Sequence, residues 1–581
     1  MTGWLLLLIA QPAMSVLGQG EPNQPQPQAD DELNDPRFGI VEAFWHPDDA
    51  AELSVGWDRI LFYWNEIQPT GPDDWNTLHV LEEWLQDARD GNRMVMGLLK
   101  NTPPWATDAE PYSGVPRGLY LPVDDPNNLW AGYVRKVVGY YAPLGVHHWI
   151  IWNEPEIEVG VYGHEFSGST RDYYQLLKVA YQVAKANDPE AVIHLAGWSY
   201  WHDPAWLGKF LQVATADPEG AANHYFFDVI TLHIYFRVET VEELVQETRA
   251  IQERYGLDKP IWINETNASP NLDPLWPVER PNFQVDLEQQ AWYIIQAHAL
   301  GFGADSASIG IYKLLDILLP EGGESFGILR PDGSRRPAYY AYRTTIKYLS
   351  GFTFPVGRQK EGDFYAFAFQ RPEGVTRILW ARQSSDLIVR VPALADEAIL
   401  VSAMGQERSV EADEGYYRIQ LHGARCMPAC DIGGPPVFIV EKTDEPVDVQ
   451  AIEPIDPQMA ILATATPTPM ERITISPAEQ ATAEAELATQ VAWTATPTAT
   501  PIPSETPTPS PTATMTPTSV PSPTATPTAA SGENDADGSG PGDGSTRPGV
   551  GESVLSWLFI GFALLLGLVL AVFVVRHRNS R

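Results

Sequence analysis

A (β/α)8 barrel followed by a small all-β sandwich is the fold class that the sequence predicts, and three observations carry that reading. Eight apolar, strand-like runs, each trailed by a helical pattern, occupy residues 37–350. Polar residues stand where several of those runs end, which is how a parallel barrel delivers side chains to its rim. From Gly351 onward the helical period is lost, and short runs separated by turns replace it.

Taken in order, residues 1–19 contain Trp4-Leu5-Leu6-Leu7-Leu8-Ile9, a short apolar run passing into small and polar residues, as in a secretory signal. Residues 20–36 are mostly Gln, Pro, Asp and Asn without an apolar period, a disordered lead-in. The first strand is expected at Phe38–Phe44 and the second around Trp57–Trp64, carrying Arg59 near its start. Asp74–Ala88 keeps Leu78, Leu81, Trp84, Leu85 and Ala88 at helical spacing, and Gly91 stands just past it as a stop. Met94–Leu99 is the third strand, opening into Thr102-Pro103-Pro104-Trp105-Ala106, a stiff loop that places an indole.

Asn128–Tyr141 reads as a helix, and Trp149–Trp152 as the fourth strand, which ends abruptly in Asn153-Glu154-Pro155. Ser169 with Asp172 three residues on starts the next helix. The fifth strand is Ala191–Gly197, followed by Trp198 and a helix over Ala205–Ala214. Phe227–Tyr235 is the sixth strand, and Thr240 with Glu243 is expected to cap a helix ending at Gly256. Pro260-Ile261-Trp262-Ile263 is the seventh strand, again ending in a carboxylate, Glu265. Leu287–Leu300 is helical, Ala307–Tyr312 is the eighth strand, and Pro337–Leu349 the last helix. Six runs, at 364–369, 377–381, 386–391, 398–401, 416–421 and 436–440, then make up a sandwich over residues 351–442.

Beyond it the composition changes. Residues 443–553 alternate Thr with Pro, Ala and Ser, which buries no core and stays extended as a stalk. Residues 554–575 are almost continuously apolar and long enough to cross about 30 Å of hydrocarbon. Arg576, Arg578 and Arg581 in the tail 576–581 put that end in the cytoplasm, and hence the barrel outside a cell membrane on a single-pass anchor.

The formal charge of -37, from 38 basic and 75 acidic residues, repels phosphates and excludes nucleic acid as a partner. Cys426 and Cys430 are the only cysteines; in an exported chain so close a pair is expected to form a disulfide staple. No cluster of His, Cys and Asp has metal spacing and no Gly-rich phosphate loop precedes a helix, so no metal or cofactor is implied.

Two carboxylates at the ends of strands four and seven suggest glycoside hydrolysis with retention, in which one protonates the leaving oxygen and the other attacks the anomeric carbon. Glu154 is the expected acid and base, its proton held by burial and by the negative partner. Glu265 is the expected nucleophile, kept ionised by Arg59 and Tyr235. Asn153 is placed to hydrogen-bond a sugar hydroxyl, and His233 lies two residues from Tyr235, on the same side of a strand. Trp105, Trp198 and Tyr312 are candidate sugar platforms, because aromatic faces stack on the apolar faces of sugar rings. The rival readings are a catalytically inactive carbohydrate-binding barrel and an adhesion protein whose stalk and sandwich carry the function.

These residues resemble a known group. Trp152-Asn153-Glu154-Pro155 resembles the acid/base signature of the clan A glycoside hydrolases, and Trp262-Ile263-Asn264-Glu265 their nucleophile strand. Thr102-Pro103-Pro104-Trp105-Ala106 is similar to the third-strand loop of the β-xylosidase and related families, and His233-x-Tyr235 to the sixth-strand pair. Asp332 to Tyr339 resembles the stretch leading to the last helix. The resemblance spans about residues 37–349 and implies a (β/α)8 barrel with retaining chemistry on β-linked polysaccharides or oligosaccharides.

Overall fold

The computed structural model describes residues 33–278, 283–316, 325–360, 362–426, 429–443 and 449–455. Eight parallel strands form one sheet: β1 (Phe38–Val41), β2 (Trp57–Tyr63), β3 (Met94–Lys100), β4 (His148–Ile151), β5 (Val192–His194), β6 (Ile230–Tyr235), β7 (Ile261–Asn267) and β8 (Ser308–Ile311). Their order is β5-β4-β3-β2-β1-β8-β7-β6. Parallel bridges from His194 to Val229 and from Trp198 to Leu232 join β5 to β6, so the sheet closes on itself. The barrel half of the expected fold is therefore present.

Helices alternate with the strands: α1 (Pro47–Leu53), the single turn α2 (Trp64–Ile67), α3 (Glu82–Asp90), α4 (Leu129–Tyr141), α5 (Thr170–Asn187), α6 (Trp206–Ala216), α7 (Glu239–Arg254), α8 (Leu287–Gly303) and α9 (Pro337–Leu349). Local chemistry sets several of their starts. Asn128 accepts from the Ala131 amide ahead of α4, and Ser169 with Asp172 completes a reciprocal capping box at α5. A second such box, Asp286 with Gln289, opens α8.

Two helix expectations are corrected. The pattern over Asp74–Ala88 becomes helical only at Glu82, because the Asp74 carboxylate accepts from the Thr70 amide and hydroxyl and from the Gly71 amide. Those bonds satisfy the chain as a turn instead of a helix, and Leu78 is left exposed. Thr240 and Glu243 do not cap α7; Val238 precedes that helix, and the Thr240 hydroxyl donates to the Arg237 carbonyl.

Strand faces divide the core in two layers. Trp57, Met96, Leu98 and Ile150 fill the barrel interior with Trp262, whereas their sequence neighbours pack outward against the helices. This is the two-sided burial expected of a parallel sheet. Two antiparallel sheets follow. One has the order β14-β13-β16-β11-β10-β9, built from β9 (Phe354–Lys360), β10 (Phe364–Arg371), β11 (Gly374–Ala381), β13 (Glu397–Ser402), β14 (Glu407–Glu411) and β16 (Val437–Lys442). The other has the order β15-β12-β17, from β12 (Leu387–Pro392), β15 (Tyr416–Leu421) and β17 (Glu453–Ile455). Strand β17 pairs with β12 past residue 442, so sheet structure continues into the stretch expected as stalk.

Alternation along β10 and β11 settles what the larger sheet touches. Phe364, Ala366, Leu379 and Ala381 join Val389, Val391, Tyr417 and Ile419 in a core between the two sheets. Phe367, Phe369, Ile378 and Trp380 face the other way and belong to the barrel's own core. Cys426 and Cys430 are joined as a disulfide. No helix among the described residues is long and apolar enough to cross a membrane, and the expected signal, membrane span and tail, with the expected stalk beyond residue 455, lie outside them.

Candidate active site

At the carboxyl end of the barrel, β4 stops in an unusual way. Trp152 and Glu154 both adopt positive φ, 71° and 38°, a conformation that costs a non-glycine residue energy and persists only where packing enforces it. Packing does so here: the Trp152 indole is sealed between Trp130 and Phe166 and donates to the Glu165 carbonyl, while the Glu154 amide donates to the Gly197 carbonyl. The consequence is that Glu154 leaves the helix layer and turns toward the barrel mouth.

Strand β7 reaches the same mouth by a different device. Strict alternation from Trp262, which faces the interior, would send Ile263 and Glu265 together to the helix layer. The pairing with β6 instead slips between Leu232 and His233, so that Leu232 opposes Ile263 and His233 opposes Glu265. Asn264 is the extra residue of this bulge, which re-aims Glu265 inward while Thr266 contacts Tyr293 of α8.

The two carboxylates meet over one imidazole. His233 Nδ1 donates to Glu154 Oε1 at 2.8 Å and lies 3.4 Å from Glu265 Oε2. The two oxygens are therefore no further apart than those two contacts laid end to end. Glu265 is also paired with Arg59 through Oε1 and accepts from the Tyr235 hydroxyl through Oε2. The Ser199 hydroxyl donates to Glu154 Oε1 at 2.7 Å. His233 is buried, and its position depends on Gly197, where a Cβ would stand 1.8 Å from His233 Nε2.

The electrostatics differ from expectation on one point. Burial works to hold the proton on Glu154, but hydrogen bonds from His233 and Ser199 and the charge of His233 outweigh it and bring this carboxyl down to about 2. The direction is opposite to the anticipated retention of the proton by burial and a negative partner. His233 is correspondingly raised; burial opposes its charge, and Glu265 and Glu154 more than compensate. Burial and the Glu265 charge push the Tyr235 phenol well above its ordinary range, so it remains a donor.

Of the expected sugar contacts, Asn153 bridges to Gly197 beside Glu154 and leaves its Oδ1 without a protein partner, as Arg59 does its Nε and Nη1. Tyr312 packs edge-on against Tyr235 at 6.1 Å and is half-buried. Trp105 is half-buried, donates to the Gln68 carbonyl and packs edge-on against Trp64. Trp198 is no platform. It is 1 % exposed, because it belongs to the closure between β5 and β6 and its ring packs on Trp206 of α6.

Sequence reading missed Ser199, Glu156, and the buried pair Glu42–Lys313, whose charged atoms are 2.8 Å apart at the ends of β1 and β8. Their signal was position alone, since each follows a barrel strand. Among the described residues no group of His, Cys, Asp or Glu is arranged to hold a metal ion.

No protein-family model matches this chain, and no curated protein matches its sequence. Solved structures do match in fold. A family 39 glycoside hydrolase from the gut symbiont Bacteroides cellulosilyticus superposes with a TM-score of 0.55 at 16 % identity, over 71 % of this chain and 82 % of that one. A monomeric β-xylosidase from Caulobacter crescentus gives a TM-score of 0.48 at 14 % identity, over 69 % and 95 % of the two chains. A GH30 endoxylanase from Clostridium papyrosolvens gives 0.48 at 13 %, over 71 % and 97 %. The first of these likenesses establishes the barrel with its appended β-structure.

Proposed function

We propose that the chain is a retaining glycoside hydrolase acting on β-linked polysaccharides or oligosaccharides, with Glu265 as nucleophile and Glu154 as acid and base. The observation that carries this reading is the single imidazole, His233, bridging carboxylates from β4 and β7. That one imidazole nitrogen reaches an oxygen of each carboxylate supports a close pair suited to direct attack, in preference to the about 6.5–9.5 Å that an inverting enzyme leaves for water between its carboxyls.

In this mechanism Arg59 and Tyr235 orient Glu265 so that its free lone pair faces the anomeric carbon. Attack forms the glycosyl ester as the bond to the leaving oxygen breaks, and the proton delivered to that oxygen comes from the Glu154–His233 pair. Once the ester forms, the negative charge on Glu265 that raised His233 is gone. Glu154, ionised, then takes a proton from water as the water attacks the ester, which restores the nucleophile and retains configuration. Asn153 and Tyr312 supply contacts to the bound sugar.

The test is a panel of aryl β-xylosides, glucosides, mannosides and galactosides. Wild type is expected to hydrolyse at least one, and Glu265→Gln to lose about 10⁴-fold or more in kcat, the order of the barrier that a nucleophile removes. Glu154→Ala is expected to fail on poor leaving groups and to recover with azide; no rescue in either glutamate variant would sink the role assignment.

The apolar run of residues 554–575 with its trailing arginines supports a location outside the cell on a single-pass anchor. Partition of the full chain into the aqueous phase of a detergent extraction would refute that placement.

A further inference from the structure

Glu156 lies two residues past the acid/base and takes no part in the mechanism above, yet it is only 6 % exposed. Its Oε1 accepts from the Ser199 backbone amide at 2.7 Å, and the hydroxyl of that same serine donates to Glu154 Oε1 at 2.7 Å. Ser199 therefore ties the two carboxyl groups together, by its main chain on one side and its side chain on the other. Glu156 Oε2 is buried without a hydrogen-bond partner. A buried carboxylate with one bare oxygen is costly, whereas a carboxylic acid in that place carries its proton on the bare oxygen and buries no charge.

The neighbours act in the same direction. Burial, then the charge of Glu154, and further on that of Asp203, push Glu156 up to about 9. Tyr173, itself pushed up by burial, faces it as a neutral phenol, and His233 and His202 act on Glu154. The charge of Glu154 opposes a second one on Glu156, and the side-chain donors, His233 and Ser199, both serve Glu154, whereas Glu156 is served by backbone amides, those of Ser199 and of Glu156 itself.

We propose that Glu156 is a positioning residue for the acid/base: its buried carboxyl fixes the Ser199 amide, holds the Ser199 hydroxyl on Glu154, and so governs how readily the Glu154–His233 pair hands a proton to the leaving group. The assignment rests on the hydrolase reading. It adds a neutral carboxylic acid behind the acid/base, a role that neither Glu154 nor His233 fills.

Glu156→Gln keeps an oxygen for the Ser199 amide and lacks only the titratable proton, so it is expected to hold kcat on an alkyl or disaccharide substrate within about threefold. Glu156→Ala and Ser199→Ala are expected to lose about tenfold or more in kcat on those poor leaving groups, with KM little changed and dinitrophenyl glycosides almost unaffected. Equal losses on activated and unactivated substrates, or a Gln variant as damaged as the Ala variant, overturn the proposal and leave the hydrolase reading intact. A wild type inactive on every glycoside overturns both.

A readout independent of turnover guards against misfolded variants. An acid of ordinary value 4.5 held up to about 9 keeps its proton in the folded chain while the unfolded chain loses it, so this group withdraws stability as pH rises between those values. Thermal unfolding of wild type against Glu156→Gln across that window is expected to converge near pH 4 and diverge toward pH 9, the Gln variant being the more stable. Parallel curves overturn the proposal.

Discussion

One absent side chain decides whether His233 can join the carboxylates. Gly197 leaves room that any Cβ would take from the imidazole, at 1.8 Å from Nε2. Gly197→Ala is thus expected to move His233 off Glu154 and to lower kcat/KM by about a hundredfold or more, the size of effect that a 1 Å misplacement produces. Far-ultraviolet circular dichroism should be unchanged, and full activity in this variant would deny His233 its bridging position. At this scale Glu154 and Glu265 were legible because each ends an apolar strand-like run, whereas Arg59 near the start of β2 and His233 within β6 were marked as polar residues in otherwise apolar strands, His233 sharing a side with Tyr235 at the end of β6. Ser199 and Glu156 escaped: a serine after a tryptophan and a glutamate in an acidic loop carry no periodicity, and only the fold brings Ser199 onto Glu154 and Glu156 onto Ser199. The same blindness admitted Trp198, since exposure of an indole is not written in its neighbours.

Among the elements, β7 departs furthest from its sequence pattern. Its composition announces a strand, but alternation alone points Glu265 at the helices, and the bulge at Asn264 reverses that. Deleting Asn264 is expected to restore the regular ladder, turn Glu265 away from the mouth and abolish hydrolysis. An Asn264-deleted protein that folds, by thermal melting, and still hydrolyses would exclude this account of how Glu265 is aimed. Bulges are invisible to a pattern of apolar residues because they alter register without altering composition. Helix starts were legible where a capping side chain stands alone, as at Asn128 and Ser169. They were misread where a carboxylate had a competing turn to close, as Asp74 does.

Taken whole, the barrel and the larger antiparallel sheet share a core. Gly303 at the end of α8 lies against the Phe367 ring, and Trp380 stacks on Phe367 at 5.5 Å. Gln296 of α8 donates to the Gly434 carbonyl, and Arg425 pairs with Asp286 and Glu288 at the start of the same helix. A chain cut after Gly351 would bare that apolar face, and it is expected to aggregate on expression, whereas Trp380→Ala in the full chain should cost about 3–5 kcal/mol by chemical denaturation. A soluble, active barrel released by that cut would contradict the shared core. The succession of eight strand–helix units made the barrel readable from the sequence, but nothing in the alternation of β10 told which of its two faces would meet α8.

The short strand β17 has a mechanical consequence. It holds β12 through only three residue pairs, at an outer edge, and the chain beyond residue 455 continues from it. Tension applied to that continuation meets β17 before any other strand of the chain, and three residue pairs at an edge are expected to part before the closed eight-stranded sheet does.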